Sequence, residues 1–164
     1  MKRNESIELL VRDELSKLDT DERAAYVMTA IDEGLIDEQP QLATLTEHPE
    51  HEAFDCVVAE ALRTKYIGTK NDYILSRLCD LALDTGTIEG APEPLERCPC
   101  CEYRTLQSRG QYDICPVCNW EDTGIEDQNV YSGPNHSTLA EAKEQLQTKE
   151  MAQALLDAEA KYLK

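Results

Sequence analysis

The stretches Cys98-Pro99-Cys100-Cys101 and Cys115-Pro116-Val117-Cys118 decide the fold of the last third of this chain. They are two CxxC units separated by 13 residues. Two residues between cysteines let a tight turn aim both sulfurs at one metal ion, and a second such turn completes a tetrahedron. The proline after the first cysteine of each unit fixes φ for such a turn. The spacing predicts a structural Zn²⁺ site with four ligands, which are Cys98, Cys101, Cys115 and Cys118.

The first unit offers three thiols for two ligand positions. Neighbouring residues seldom reach the same metal ion, so the spacing favours Cys98 and Cys101 and leaves Cys100 outside the site. A pair of disulfides is the alternative, but it requires an oxidising compartment, and seven cysteines is an odd number. The first residues, Met1-Lys2-Arg3-Asn4-Glu5, contain no apolar run. We therefore expect no secretory signal, no transmembrane segment and a cytoplasmic location.

The 13 residues between the two units have the pattern of a hairpin. Arg109-Gly110-Gln111 separates two strand-like segments, Tyr103-Arg104-Thr105-Leu106 and Tyr112-Asp113-Ile114. The pattern predicts a small β zinc ribbon in which these two segments pair. A ribbon of about 35 residues buries too little apolar surface to fold unaided, so metal binding must supply much of its stability.

Further short motifs follow the CxxC units in a fixed order. Trp120-Glu121-Asp122 comes after the second unit, and Gly133-Pro134-Asn135 precedes Leu139-Ala140-Glu141-Ala142. From residue 97 to about residue 146, the chain resembles the bacterial cysteine-rich CPCC domain, a family that usually has glycine at the position of Glu102. The resemblance implies a fold and no defined activity. Some members are similar to components of bacterial toxin and immunity loci, so it also implies an immunity protein as one possible function.

The first 86 residues have a helical pattern. Four segments each carry one apolar face, and the second of them begins with a capping box at Asp19 and Glu22, which together indicate a small helical bundle. Cys56 and Cys79 fall within or beside these faces, and we expect both thiols to be buried. The apolar positions are Ile7, Leu10, Val11, Leu15 and Leu18, then Ala24, Val27, Met28 and Ile31, then Phe54, Val57, Val58, Ala61 and Leu62, then Ile74, Leu75, Leu78, Leu81 and Ala82.

The predicted fold is mainly α with a small β zinc ribbon. A helical bundle covers residues 1–86, a linker covers 87–97, and the ribbon with a C-terminal helix covers 98–164. A capping box at Thr138 and Glu141 begins that helix. Its apolar stripe loses phase at residues 147–150, so we expect a bend or break there, with the second half docked on the N-terminal bundle. Trp120 is expected to cover the metal site or pack against the C-terminal helix.

The charge balance points to the class of partner. The chain has 33 acidic and 16 basic side chains, a formal net charge of −17, and four thiolates around a divalent ion would add about two further negative charges. Such a surface repels phosphate backbones, which argues against nucleic-acid binding, and it favours capture of a basic protein. We expect a protein partner, such as a toxin or effector domain. The candidate contacts are the clustered carboxylates Asp32, Glu33, Asp37 and Glu38.

Candidate catalytic groups are few, so we expect no enzyme. His48, His51 and Asp55 could meet on one helical face, but Asp55 stands where a metalloprotease motif has its second histidine. A site with four thiolates leaves no open coordination position for water. Three hypotheses remain, and we favour the first. They are an immunity protein that occludes a cognate toxin, a zinc-ribbon regulatory or nucleic-acid-associated adaptor, and a metal-dependent enzyme that uses those three side chains.

Overall fold

The structure is a computed structural model of the 164-residue chain, and it describes residues 1–36, 45, 46, 48, 50–83 and 86–164. These residues form six α helices, a short 3₁₀ helix and two small antiparallel sheets of two strands each. The mainly helical fold with a small β component is therefore confirmed. Two compact units make up the chain, one of residues 1–67 and 74–90 and the other of residues 68–73 and 91–164. In the described ranges, no helix is long and apolar enough to cross a membrane.

Helices build the first unit. They are α1 (Arg3–Lys17), α2 (Thr20–Asp32), the 3₁₀ helix (Glu52–Phe54), α3 (Asp55–Thr64) and α4 (Asn71–Asp80), of which residues 74–80 belong to this unit. Helix α2 begins with the predicted capping box, in which Asp19 Oδ1 accepts the Glu22 N–H at 2.8 Å and Glu22 Oε2 accepts the Asp19 N–H at 3.0 Å. The apolar faces of these helices meet in a core whose most buried members are Leu10, Val11, Val27, Phe54, Val58, Leu62, Ile74 and Leu78.

Three expectations for the first unit are wrong at the level of single residues. Met28 is exposed, and so are Cys56 and Cys79, although we expected both thiols to be buried. Each of the three is a sequence neighbour of a buried residue, and neighbours on a helix point about 100° apart. Helix α4 also ends earlier than predicted, at Asp80, and Ala82 has a left-handed φ of 58° that cannot continue a helix.

All the strands of the described residues lie in the second unit. Strand β1 (Glu96–Arg97) pairs with β2 (Arg104–Leu106), and β3 (Tyr131–Ser132) pairs with β4 (Ser137–Thr138). The predicted pairing of residues 103–106 with 112–114 is wrong. Each CxxC turn reverses the chain, so the segment on one side of a turn pairs with the segment on the other side of the same turn. We call residues 96–106 the first knuckle and residues 112–122 the second knuckle.

Two helices complete the second unit, namely α5 (Leu139–Gln145) and α6 (Lys149–Lys161). Helix α5 begins with the predicted capping box at Thr138, whose Oγ1 accepts the Glu141 N–H at 3.2 Å. The predicted break separates the two helices. In the second half, Ala158 and Tyr162 belong to the same buried cluster as the cysteines, and docking of this half on the N-terminal bundle stays a prediction.

The chain end is also held by the first knuckle. The Arg104 N–H donates to the Leu163 carbonyl at 2.7 Å, and the Tyr103 hydroxyl donates to the Leu155 carbonyl at 3.1 Å. Strand β2 is an edge strand, and edge strands have free backbone groups that take up such a segment. Helix α6 is thereby fixed against the cysteine-rich part of the unit.

Candidate metal centre

Four cysteine sulfurs meet in the second unit. Those of Cys98, Cys101, Cys115 and Cys118 all lie within 4.8 Å of one another, with 3.6 Å between Cys98 and Cys118 and 3.5 Å between Cys101 and Cys115. A tetrahedral zinc ion with Zn–S bonds of about 2.3 Å requires sulfurs about 3.8 Å apart, whereas a disulfide bond is about 2.05 Å long. The spacing fits a shared metal ion and not a pair of disulfides. These are the four residues that the sequence predicts as ligands.

The two knuckles position their sulfurs by the same backbone pattern. In the first, the Cys98 N–H donates to the Tyr103 carbonyl at 2.9 Å, and in the second, the Cys115 N–H donates to the Trp120 carbonyl at the same distance. Both bonds span the CxxC turn from its first cysteine. The two turns therefore present their cysteine pairs in equivalent geometry.

One residue in each knuckle has a left-handed backbone. It is the residue directly after the second cysteine, Glu102 with φ 69° in the first knuckle and Asn119 with φ 58° in the second. Each donates its N–H to the carbonyl of the first cysteine at 2.9 Å and so closes the turn. Asparagine tolerates this conformation, whereas glutamate pays a steric cost that glycine avoids. The turn geometry thus explains why glycine suits the position of Glu102.

The site is buried and has an apolar shell. Cys98, Cys101 and Cys115 are all almost fully buried, and Cys118 is partly buried. Trp120 belongs to the same buried cluster as these cysteines. Leu106 of β2, Leu139 of α5 and Ala158 of α6 also belong to it. This placement agrees with the predicted packing role of Trp120. Cys100 is buried as well, but it is not one of the four clustered sulfurs, which agrees with its assignment as the thiol outside the site.

Hydrogen bonds distinguish the four thiols. Hydrogen bonds from neighbouring thiols lower the pKa of Cys115, and the bond from Cys101 has the largest effect. The Thr105 hydroxyl, which lies 3.1 Å from the Cys115 sulfur, acts in the same direction. The pKa of Cys118 is raised, with the Cys100 thiol as the leading cause. Sulfurs this close cannot all ionise on their own, and a divalent cation among them would favour thiolates.

Asp122 organises the loop that follows the second knuckle. Its side chain is fully buried, and Oδ2 accepts hydrogen bonds from Arg109 Nε at 2.8 Å and from the Gly110 N–H at 2.7 Å. Burial alone would raise the pKa of Asp122, but the Arg109 guanidinium and the Gly110 N–H outweigh burial, and the pKa is lowered. Sequence reasoning missed this role, although the Trp120-Glu121-Asp122 motif singled out the position.

Asn135 ties the β3–β4 turn to the second knuckle. Its Oδ1 accepts the Glu121 N–H at 2.8 Å, and its Nδ2 donates to the Glu121 carbonyl at 2.8 Å and to Ser132 Oγ at 2.7 Å. The amide thus satisfies both backbone groups of Glu121 as a paired strand would. Only a side-chain amide offers a donor and an acceptor in this arrangement, which gives a physical reason for asparagine in the Gly133-Pro134-Asn135 motif.

The structure does not bring together His48, His51 and Asp55, the residues of the alternative metal-dependent enzyme. His51 Nδ1 accepts a backbone N–H at 3.0 Å as the cap of the 3₁₀ helix, Asp55 forms an ion pair with Arg23, and His48 Nδ1 faces Glu50 at 3.5 Å. Within the described part of the chain, the four cysteines are the one group of three or more histidine, cysteine or acidic side chains that could hold a metal ion. The hypothesis of an enzyme based on these three residues therefore has no structural support.

The predicted partner contacts are only partly described. Asp32 and Glu33 are exposed at the end of α2, and Asp37 and Glu38 lie outside the described residues. Glu33 also lines a groove of about 670 Å³ in the first unit, together with Leu35 and the exposed Cys56. The Asp32 and Glu33 carboxylates are accessible, and nothing in their contacts identifies a partner.

Comparison with known proteins identifies a family for part of the chain. Residues 96–154 match the model of the family described as Cysteine-rich CPCC. The matched segment contains both knuckles, the β3–β4 sheet, α5 and the first half of α6, and the resemblance inferred from the sequence motifs is confirmed. No curated protein and no solved structure gives a significant match.

Proposed function

Because residues 96–154 form a cysteine-rich CPCC domain, we propose that this chain is an acidic, zinc-stabilised interaction protein. In this proposal it is a bacterial immunity protein that binds a cognate toxin and occludes it. The observation that carries the proposal is a closed, buried four-cysteine site in a chain with a formal net charge of −17. Such a site stabilises a fold, and such a charge attracts a basic partner.

Zinc is the metal that the donor set fits best. Four sulfur donors in a compact group favour tetrahedral Zn²⁺ or an iron–sulfur centre, and the CxxC spacing on two knuckles is typical of structural zinc modules. Cys98, Cys101, Cys115 and Cys118 would hold the ion, and the Thr105 hydroxyl would donate to one thiolate from outside. Bound zinc would crosslink the two knuckles into a ribbon-type module. With four thiolates bound, no ligand position stays open to water, so the metal has a structural role.

The electrostatics favour a protein partner over nucleic acid. Arg109, one of the basic side chains near the cysteines, is engaged by the buried Asp122, and Arg104 donates to the Leu95 carbonyl at 3.1 Å. A phosphate backbone needs accessible cations, and it would meet an acidic surface here. A basic toxin domain would be steered toward this surface, and its active site would be blocked by contact. Four unpaired thiols at a metal site also require a reducing compartment, which we take to be the cytoplasm.

Co-expression tests the immunity proposal. The full chain is produced together with the protein encoded beside it, and growth is measured with and without induction of that neighbour. We expect the neighbour alone to stop growth, and we expect the two proteins to elute together from a sizing column. The variant Cys79→Ser, which changes an exposed thiol outside the metal site, should protect as well as the unaltered chain. Lack of protection and of a complex would refute the immunity proposal.

A further inference from the structure

The second knuckle presents a strained aromatic residue to solvent. Tyr112 has a left-handed φ of 65°, a conformation that is unfavourable for a bulky side chain, and 62% of the residue is exposed. Its N–H donates to the Asp122 carbonyl at 2.9 Å, which holds the backbone in place. The ring gains little burial in return within this chain. Residues held in such conformations cluster at functional sites.

A second large apolar residue of the second knuckle is also exposed. Ile114 is 62% exposed and forms a β-bridge with Glu121. Between the two exposed residues, Asp113 turns inward, and its Oδ2 accepts the N–H groups of Gln107 and Ser108 at 2.9 and 3.0 Å.

Strand β3 and the residue before it add two more exposed apolar residues. Tyr131 is 60% exposed, and Val130 is also exposed. The Asn135 amide holds the β3–β4 turn against Glu121, the bridge partner of Ile114. We define the second-knuckle face as Tyr112, Ile114, Val130 and Tyr131.

The surroundings of this face are acidic. No lysine or arginine occurs between Arg109 and Lys143, and Arg109 itself is engaged by the buried Asp122. The same segment carries further carboxylates, which are Glu121, Glu126, Asp127 and Glu141. Four thiolates with a bound zinc ion would add about two more negative charges beneath it. The segment that carries this face therefore combines exposed apolar residues with an excess of acidic over basic side chains, which we call its acidic rim.

We propose that the second-knuckle face is the docking surface for a basic protein partner, one that presents apolar side chains between lysines or arginines. The inference rests on the proposed interaction function and names its surface. Tyrosine and isoleucine supply the contact area that dominates interfaces, and the carboxylates supply orientation and fast association. A second copy of this chain does not fit, because it would bring another acidic rim into contact with the first. Nucleic acid does not fit for the same reason.

A peptide titration tests the surface directly. The zinc-loaded full chain is labelled with ¹⁵N, and its amide spectrum is followed as a peptide of alternating lysine and leucine is added. Polylysine of equal charge and a peptide of alternating glutamate and leucine are the comparison probes. We expect the lysine–leucine peptide to shift the amides of residues 112–114 and 130–132. We also expect this binding to survive at about 0.3 M salt, at which purely electrostatic binding to the acidic surface is screened.

A matched pair of variants separates this face from other exposed apolar positions. Ile114→Ser should weaken binding of the lysine–leucine peptide by about tenfold or more. Leu156→Ser changes a residue of α6 that is exposed to the same degree, 61% against 62%, and it should leave binding unchanged. Because both side chains are largely in solvent, both variants should fold. Equal effects of the two variants would overturn the proposal, as would shifts centred on the groove beside Glu33 or equal binding of polylysine.

Failure of this inference is distinguishable from failure of the proposed function. If the neighbouring toxin is neutralised equally well by the unaltered chain and by the Tyr131→Ser and Ile114→Ser variants, the interaction function stands and the second-knuckle face is not its surface. If no toxin is neutralised by any form of the chain, the immunity function fails, and the peptide titration still decides whether this face binds basic segments.

Discussion

Replacement of the buried residue Asp122 should lower the unfolding free energy of the second unit more than replacement of an exposed acidic residue. Asp122→Ala leaves the Gly110 N–H without its acceptor at 2.7 Å and Arg109 Nε without its acceptor at 2.8 Å. Loss of one partner of a buried charged pair costs about 3–5 kcal/mol of unfolding free energy. Arg109 is about one-third exposed and can turn to water, so we take the lower end, about 3 kcal/mol.

Equilibrium urea unfolding of the zinc-loaded chain measures this loss. Trp120 is the one tryptophan and is buried in the second unit, so its fluorescence reports on that unit. Asp122→Asn keeps an acceptor for Gly110 but loses the charge, and it should cost about 2 kcal/mol. Glu126→Ala, an exposed acidic substitution four residues along the chain, should change the unfolding free energy by less than about 0.5 kcal/mol. A loss for Asp122→Ala no larger than that of Glu126→Ala would refute the reasoning.

The difference in unfolding free energy between the unaltered chain and Asp122→Asn should depend on pH in a defined way. Because the folded-state pKa of Asp122 is lowered, its contribution is complete above the unfolded pKa of about 3.9 and is lost as the pH falls through the folded value. The stability gap between the unaltered chain and Asp122→Asn should therefore be constant from about pH 8 to pH 5 and should close below about pH 4. Acid also protonates the cysteines, but this affects both forms alike. A gap that closes between pH 7 and pH 5 would contradict the assignment.

Three further predictions concern the knuckles and their support. Glu102→Gly should raise the unfolding free energy by about 1 kcal/mol, because glycine removes the strain of the left-handed backbone. Asn119→Gly at the equivalent position should change the unfolding free energy less. Urea unfolding measures both variants, and no gain for Glu102→Gly would contradict the account of the turn. Cys100→Ser should keep one zinc per chain and Cys115→Ser should lose it, as measured by metal analysis; loss in both would make Cys100 a ligand. Asn135→Ala should cost about 2 kcal/mol because both backbone groups of Glu121 lose their partner, and an unchanged urea midpoint would show that the amide clasp does not stabilise the unit.

The clustering of the four cysteines follows from sequence alone because their spacing encodes local geometry. A CxxC unit closes within one turn, so Cys98 with Cys101 and Cys115 with Cys118 can each be assigned without knowledge of the remaining fold. Capping boxes are equally local, and those of α2 and α5 form as predicted. Strand pairing depended on a choice between partners. The sequence offered Tyr112-Asp113-Ile114 as the partner of β2, and turn closure favoured the segment at Glu96 instead.

The features that sequence reasoning missed depend on side-chain direction or on distant contacts. Met28, Cys56 and Cys79 are exposed although each is next in sequence to a buried residue. Neighbouring residues on a helix point about 100° apart, and an apolar stripe in the sequence is too broad to show which of two neighbours is buried. The role of Asp122 requires the positions of residues 109 and 110 in three dimensions. The attachment of the segment after helix α6 to the first knuckle depends on a backbone bond between Arg104 and Leu163, which are 59 positions apart in the sequence.

The metal content of the purified chain tests the central claim most directly. The full chain, prepared under reducing conditions, is measured for zinc by elemental analysis, beside a variant in which Cys98, Cys101, Cys115 and Cys118 are all serine and a variant in which the exposed Cys56 and Cys79 are serine. We predict about one zinc ion per chain in the unaltered protein and in the Cys56/Cys79 variant, and none in the four-serine variant. A reduced, folded chain that binds no metal, or a four-serine variant that keeps its zinc, would contradict the account.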